Sequence, residues 1–328
     1  MSEPSIPAPT TASVPDSTGL RLLAVHAHPD DESSKGAATM AAYAAAGAEV
    51  LVVTCTGGEA GSVLNPSYAH PVRAERDIAG VRHAEMAAAA RALGVRHRWL
   101  GFLDSGLPEG DPLPALPDHC FAEVPLETAA APLVAVVRRF RPHVILSYDE
   151  AGGYPHPDHI RAHEVTREAW ERAGDADAYP GTGPAWEPLK LYYDRAFHPA
   201  KYQALHEGFL AAGEESPFTD RLEMHARMEA MREVLRRREE GEEVPDPEHL
   251  PPFVPPVHEV TTQIPVQDFL DERDAALRAH ATQVDPEGMF FAAPNELQRS
   301  TWPWEDYALI ESRVRTVPPE TDLFAGVR

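Results

Sequence analysis

The 328-residue sequence predicts an α/β fold, a mostly parallel Rossmann-like sheet with helices on both faces and a smaller C-terminal subregion. Short apolar runs recur as LLAVHAH (22–28), EVLVVTCT (49–56) and HVILSY (143–148), the pattern of strands buried on both faces. Between them lie segments with apolar residues at helical spacing, among them Leu133, Val134, Val137 and Phe140. Strands that alternate with helices in this way pair in parallel through right-handed crossovers, which cover both faces of the sheet.

In chain order, residues 1 to about 19 are rich in Pro, Ser and Thr and are expected to be a disordered tail. After the first strand, Ser33 and Ser34 offer N-caps to an Ala-rich helix that stops at Gly47. The second strand is followed by a helix from about Arg73, with Ile78, Val81, Met86, Ala89 and Leu93 on one face, ending at Gly94. HRWLGF (97–102) is a third strand, and a Pro-rich loop then leads to the helix before 143–148. Farther on, LKLYYD (189–194) reads as a strand, 219–240 as a charged helix and 265–283 as another helix. The acidic, Pro-rich stretch near 239–259 is expected to be a mobile loop or lid. The predicted organisation is therefore a tail (1–19), a catalytic core (20–185) and a C-terminal region (186–328) that completes the substrate pocket.

Charge narrows the function. With 29 Lys and Arg against 52 Asp and Glu, the net charge of -23 repels nucleic acids and anionic membranes, so neither is expected as a partner. Cys55 and Cys120 form no CxxC pair, which leaves no thiolate cluster and suits a reducing cytoplasm. No apolar run is long enough to span a bilayer, and the N-terminus lacks a signal-peptide pattern. The expected partner is a small-molecule substrate, and nothing in the sequence fixes an oligomeric state.

Open parallel sheets bind ligands at the carboxyl ends of their strands. There the sequence places His28-Pro29-Asp30-Asp31-Glu32, Gly57-Gly58-Glu59, Asp104-Ser105-Gly106 and Tyr154-Pro155-His156-Pro157-Asp158-His159. Two histidine–carboxylate clusters at separate strand ends point to a metal. His28 and Asp31, joined by one histidine of the second cluster, would make a three-ligand set with an open position, the design of a catalytic zinc site. Asp30 would stay free as a general base, and the spare histidine could stabilise charge. No GxGxxG or GxxxxGK pattern follows any strand, which disfavours nucleotide binding.

The pair AHPDDE (27–32) and HPDH (156–159) resembles the signature of the PIG-L/LmbE-like zinc deacetylases. Within them, the mycothiol S-conjugate amidase branch is similar through VHAHPDDESSKGAAT (25–39), WLGFLDSGLP (99–108), YDEAGGYPHPDHIRAH (148–163), RDAALRAHATQVDP (273–286) and ETDLFAG (320–326). The region around 214–258 departs from that pattern. The resemblance implies Zn²⁺, or Fe²⁺ in the same role, held by His28, Asp31 and His159, with Asp30 as general base. It further implies His156 as oxyanion stabiliser, kept protonated by Asp158, with Tyr154 donating to the same charge. Glu59, Arg82 and Asp104 would contact the sugar, and Lys35 would select the substrate. The implied reaction is amide hydrolysis of a mycothiol S-conjugate, in detoxification or thiol-dependent antibiotic biosynthesis. The alternatives are deacetylation of N-acetylglucosaminyl-inositol or of another N-acyl glucosamine.

Plainer readings stand beside these roles. His156 and His159 could exchange parts; Arg82 could pair with Asp77 or Glu85 on its own helix; Lys35 could be a solvated helix lysine; and His280 and Gln283, in a stretch that resembles the family, are expected to take surface or packing roles. An Fe(II) oxygenase would also use two histidines and a carboxylate but leaves Asp30 without a task, and a non-catalytic sugar binder has no need of that base.

Overall fold

A computed structural model describes residues 13–240 and 258–328. In order, the elements are β1 (Arg21–His26), α1 (Asp31–Ser34), α2 (Ala37–Ala45), β2 (Glu49–Thr56), α3 (Pro71–Arg76), α4 (Ile78–Leu93), β3 (Arg96–Phe102), α5 (Leu126–Phe140), β4 (Val144–Ser147) and α6 (Pro157–Arg172). There follow β5 (Lys190–Asp194), α7 (Pro199–Ala211), α8 (Thr219–Glu239), β6 (Thr262–Pro265), α9 (Leu270–Ala279), α10 (Asn295–Thr301) and β7 (Trp304–Ser312).

The strands form one seven-stranded sheet in the order β3-β2-β1-β4-β5-β7-β6, parallel from β3 to β5 and antiparallel at β7 and β6. The α/β class is as predicted, and the alternation along β1 shows why. Leu22 and Ala24 pack on one face with Met40, Met86, Leu270 and Phe324, while Leu23 and Val25 pack on the other with Leu133, Val137, Val165 and Trp170.

Several boundaries differ from the sequence reading. The long helix expected from Arg73 is broken at Asp77, whose extended backbone (φ -157°) ends α3 and whose side chain caps α4 by accepting the Gly80 N–H at 2.8 Å. Ser33 and Ser34 cap nothing; their hydroxyls bond to Glu32 and to the Asp31 carbonyl. α2 starts instead at left-handed Gly36, and the Glu305 carboxylate of β7 accepts its Ala38 and Thr39 N–H groups at 3.2 and 2.7 Å. The helix expected over 265–283 is only α9, preceded by β6 and ended at His280. Residues 13–19 are ordered against the core, with Val14 and Ser17 buried and the Ser17 N–H bonded to Ala46. The rest of the expected tail, and residues 241–257 of the expected lid, lie outside the described residues.

Two compact units are present. The larger contains residues 13–196, 259–291 and 303–328, so the chain beyond the boundary drawn at 185 returns to extend the sheet. Its C-terminal segment is tied down by Glu320, which accepts from Lys190 Nζ at 2.8 Å and from the Tyr192 hydroxyl at 2.8 Å. The smaller unit, 197–240 with 258 and 292–302, builds its own core from Tyr202, Phe209 and Phe218. In it Gly208 lets α7 approach Thr301 of α10, whose Cγ2 would lie 2.6 Å from any β-carbon there. Among the described residues no helix is long and apolar enough to cross a membrane.

Candidate metal centre

The crossovers on the two sides of β1 and β4 diverge, which makes their carboxyl ends the switch point where such sheets open a crevice. His28 follows β1. Its backbone N–H donates to Asp31 Oδ2 at 3.0 Å and closes a tight turn, in which Asp30 takes the left-handed conformation (φ 105°, ψ -27°) that a β-carbon disfavours. Across the crevice α6 begins with His156 as N-cap, its Nδ1 accepting the Asp158 N–H at 3.1 Å. Pro157 fills the first helical position and sets Asp158 and His159 in the first turn. At Gly152 (φ 68°) a β-carbon would collide with the His159 side chain, so only glycine lets that carbonyl reach His159 Nδ1, at 2.8 Å.

These turns bring three atoms together. His28 Nδ1 and Asp31 Oδ2 are 3.5 Å apart, His159 Nε2 and Asp31 Oδ2 are 3.3 Å apart, and His159 Nε2 and His28 Nδ1 are 3.3 Å apart. Donors about 2.0–2.1 Å from a tetrahedral ion sit about 3.3–3.4 Å from one another, so the triangle has the edges of a three-ligand zinc-type set. The hydrogen bonds assign the tautomers. His28 Nε2–H donates to Asp158 at 3.1 Å and His159 Nδ1–H to Gly152, which turns a lone pair of each ring into the triangle. A second group within reach, His28, His156 and Asp158, lacks this freedom. The Asp158 carboxylate is committed to His28, to the Ser105 N–H at 2.9 Å and to the Ser105 hydroxyl, and His156 Nδ1 to a backbone N–H.

The electrostatics also fit a cation. Without an ion, burial opposes a charged His28, yet the Asp104, Asp158 and Asp31 carboxylates around it outweigh that cost and raise its pKa well above the ordinary value, so a bound cation would take the place of the proton on Nδ1. Burial likewise opposes ionised Asp31, and His159 and Lys35 together hold it well below the usual carboxylate range. Burial pushes the Asp30 carboxyl upward against the pull of Arg82, the direction that suits a proton acceptor.

Two expected roles are changed by this geometry. Asp158 does not protonate His156, because its carboxylate faces His28 and Ser105 and only its backbone N–H reaches the imidazole. Burial, then the neighbouring His28 and His159, push the His156 pKa down to about 3, so the ring is neutral and carries its proton on Nε2. Lys35 is not exposed to a ligand. It is buried and donates to the outer oxygen of Asp31 at 2.7 Å.

The remaining predicted residues line the same crevice. Arg82 is buried and pairs with neither Asp77 nor Glu85; it donates to the Pro29 carbonyl at 2.6 Å, the Gly58 carbonyl at 2.9 Å and Asp30 Oδ2 at 3.3 Å. Asp104 accepts the Ala60 and Gly106 N–H groups at 3.1 and 2.8 Å, and burial notwithstanding, His28 holds it below the usual carboxylate range. Glu59 Oε1 accepts the Asp104 N–H at 2.9 Å, while its Oε2 is buried with no partner among the described residues. Tyr154 is 46% exposed, its ring edge-on to His159 at 4.6 Å.

Sequence reasoning missed Glu32, Ser105 and His280. Ser105 anchors Asp158, and Glu32 accepts the Asp30 N–H at 3.0 Å and contacts His280 Nε2 at 2.7 Å. The signals were present in the last residue of HPDDE and in RAHATQ, but a buried pair so distant in sequence leaves no periodic trace.

The chain resembles known proteins over nearly its whole length. The family described as PIG-L, GlcNAc-PI de-N-acetylase, matches residues 23–170, which contain every candidate donor. The chain is 50% identical over 311 residues to the mycothiol S-conjugate amidase of Streptomyces coelicolor, covering 94% of this chain and 98% of that protein. It is 42% identical over 316 residues to the 1D-myo-inositol 2-acetamido-2-deoxy-alpha-D-glucopyranoside deacetylase of Streptomyces avermitilis, covering 94% and 97%. Among solved structures, the N,N'-diacetylchitobiose deacetylase from Pyrococcus horikoshii shares the fold, with a TM-score of 0.54, 16% identity and coverage of 88% and 83%. With identity of this degree over nearly its whole length, the chain is a hydrolytic enzyme and belongs to the PIG-L family.

Proposed function

We propose that the protein is a metal-dependent amidase that hydrolyses the amide of mycothiol S-conjugates, releasing glucosaminyl-inositol and an N-acetylcysteine S-conjugate. The observation that carries the reading is the buried triangle of His28, Asp31 and His159 with the uncommitted face of Asp30 beside it, in a chain 50% identical to such an amidase. His28, Asp31 and His159 would hold Zn²⁺, or Fe²⁺ in the same role. When bound, the ion supplies Lewis acidity to the amide carbonyl and lowers the pKa of water toward about 7.

The chain's own residues do the rest. Asp30 takes a proton from the attacking water as the new C–O bond forms, and returns it to the amine nitrogen as the C–N bond breaks. Arg82, against Asp30 Oδ2, fixes the carboxylate's orientation. His156 Nε2–H, as a neutral donor, and the Tyr154 hydroxyl at the mouth of the crevice hydrogen-bond the developing oxyanion. Asp158 and Gly152 hold the two ligand rings, and Lys35 neutralises the outer oxygen of Asp31. Glu59 and Asp104, joined through the Asp104 N–H, would contact the sugar. The enzyme acts in the cytoplasm on a small molecule, in detoxification or thiol-dependent antibiotic biosynthesis.

A second reading, deacetylation of N-acetylglucosaminyl-inositol, is favoured by the 42% identical deacetylase, which matches over as much of the chain. Metal-loaded protein offered each substrate separately, with the released amine quantified and products identified by mass, tests both. Faster cleavage of the conjugate is expected; preference for the acetylated sugar would replace the first reading by the second.

A further inference from the structure

His280 lies far along the chain from the candidate donors, yet it is fully buried against their turn. Its Nε2 meets Glu32 Oε1 at 2.7 Å, and both side chains are 0% exposed. The other oxygen of Glu32 accepts the Asp30 N–H at 3.0 Å. His280 Nδ1 has no partner among the described residues, so the ring's directional contact is with Glu32. The segment that carries it cannot drift. Thr282 donates its N–H and hydroxyl to Glu85 on α4 at 2.9 and 2.7 Å, its carbonyl accepts the Leu64 N–H at 2.8 Å, and Asn65 Nδ2 bonds to the Ala281 carbonyl at 2.8 Å.

We infer that His280 is a positioning residue for Asp30: by locking Glu32, it holds Asp30 in the left-handed turn that keeps its carboxylate outside the donor triangle and against Arg82. The left-handed conformation is disfavoured for a residue with a β-carbon and needs a surrounding that enforces it. The Asp30 N–H bond to Glu32 is the tether that enforces it; Glu32 Oε1 is held by His280 and by the Ser33 hydroxyl, and without the imidazole it keeps only the Ser33 contact, which belongs to the same turn and moves with it. Asp30 would then relax toward ordinary φ values and leave its place beside Arg82. The catalytic part of this inference rests on Asp30 being the base of the proposed hydrolysis; the positional part does not.

The pair His280→Gln and His280→Asn tests it on the full chain. Glutamine presents an N–H where imidazole Nε2–H stands, whereas asparagine stops one methylene short. Amide exchange of the peptide spanning residues 28–34, read by mass spectrometry, needs no substrate. Exchange at least tenfold faster in His280→Asn and slow again in His280→Gln is expected. With a mycothiol S-conjugate, His280→Asn is expected to lose about 10–100-fold in kcat with KM and metal content unchanged, and His280→Gln to recover most of it. Unaltered exchange in His280→Asn, or equal impairment of both variants, would overturn the inference. A wild-type protein inert on the conjugate would overturn the substrate assignment instead, while the exchange data still decide whether His280 holds the turn.

Discussion

Replacing Asp158 by Asn removes a charge from behind a candidate ligand without removing its hydrogen bonds. Oδ2 of the carboxylate serves both His28 Nε2–H and the Ser105 N–H, while the other oxygen meets the Ser105 hydroxyl. An asparagine oxygen placed at Oδ2 keeps the first two bonds, and its amide can donate to the Ser105 oxygen, which already accepts the Ala122 N–H at 3.0 Å. What is lost is the anion that makes His28 a stronger base toward a cation. Such outer carboxylates change metal affinity about 10–100-fold, or roughly 1.4–2.7 kcal/mol. Asp158→Ala differs: it strands three buried groups, His28 Nε2–H and the N–H and hydroxyl of Ser105, each at a cost of about 1–3 kcal/mol, so folding stability falls as well. Chelator competition for Zn²⁺ and thermal unfolding of metal-stripped protein separate the two effects. An Asp158→Asn affinity within twofold of wild type, or equal destabilisation by Asn and Ala, would refute the assignment of Asp158 to His28.

Asp30→Ala is expected to bind metal normally and to lose about 10²–10⁴ in kcat; wild-type turnover would remove Asp30 as the base. His159→Ala is expected to lose the metal, measured by atomic emission after desalting, and a full complement would move the ligand role to His156. Burial beside Asp149 pushes the Asp194 carboxyl up to about 6 despite Lys35, above its ordinary value of about 3.9. A raised carboxyl contributes stability that is complete below the unfolded value and is lost as pH rises through the folded one, so this group favours folding increasingly from pH 6 to 4. The side chain keeps partial exposure, so Asp194→Asn is expected to stabilise by about 1–2 kcal/mol at pH 7 and by nothing at pH 4. Thermal scans at the two pH values check it, and no gain at pH 7 would contradict the buried carboxyl.

The candidate donor set was legible because its signal is local. His28 and Asp31 share one turn, His156 to His159 open one helix, and the apolar runs of β1, β2 and β4 set both turns at one sheet edge. What could not be read depends on partners remote in sequence. Nothing near Lys35 says that it folds back on Asp31, and nothing near Asp158 says that Ser105 turns its carboxylate toward His28. The antiparallel strands β6 and β7 were missed for a similar reason. β7 reads as charged because its Glu305 and Asp306 are consumed by the α2 N-terminus and by Gln263 Nε2, the latter at 2.8 Å.

The capping of α2 by Glu305 bears on the order in which this enzyme can be assembled. Every candidate donor is synthesised by residue 159, but the carboxylate that satisfies the start of α2 lies on β7, and the imidazole that meets Glu32 follows α9. A nascent chain that has emerged only through α6 therefore carries every candidate ligand on an unfinished turn. On the proposed reading, ion capture and catalytic competence would be separate events in time, the second waiting on the last strand to enter the sheet.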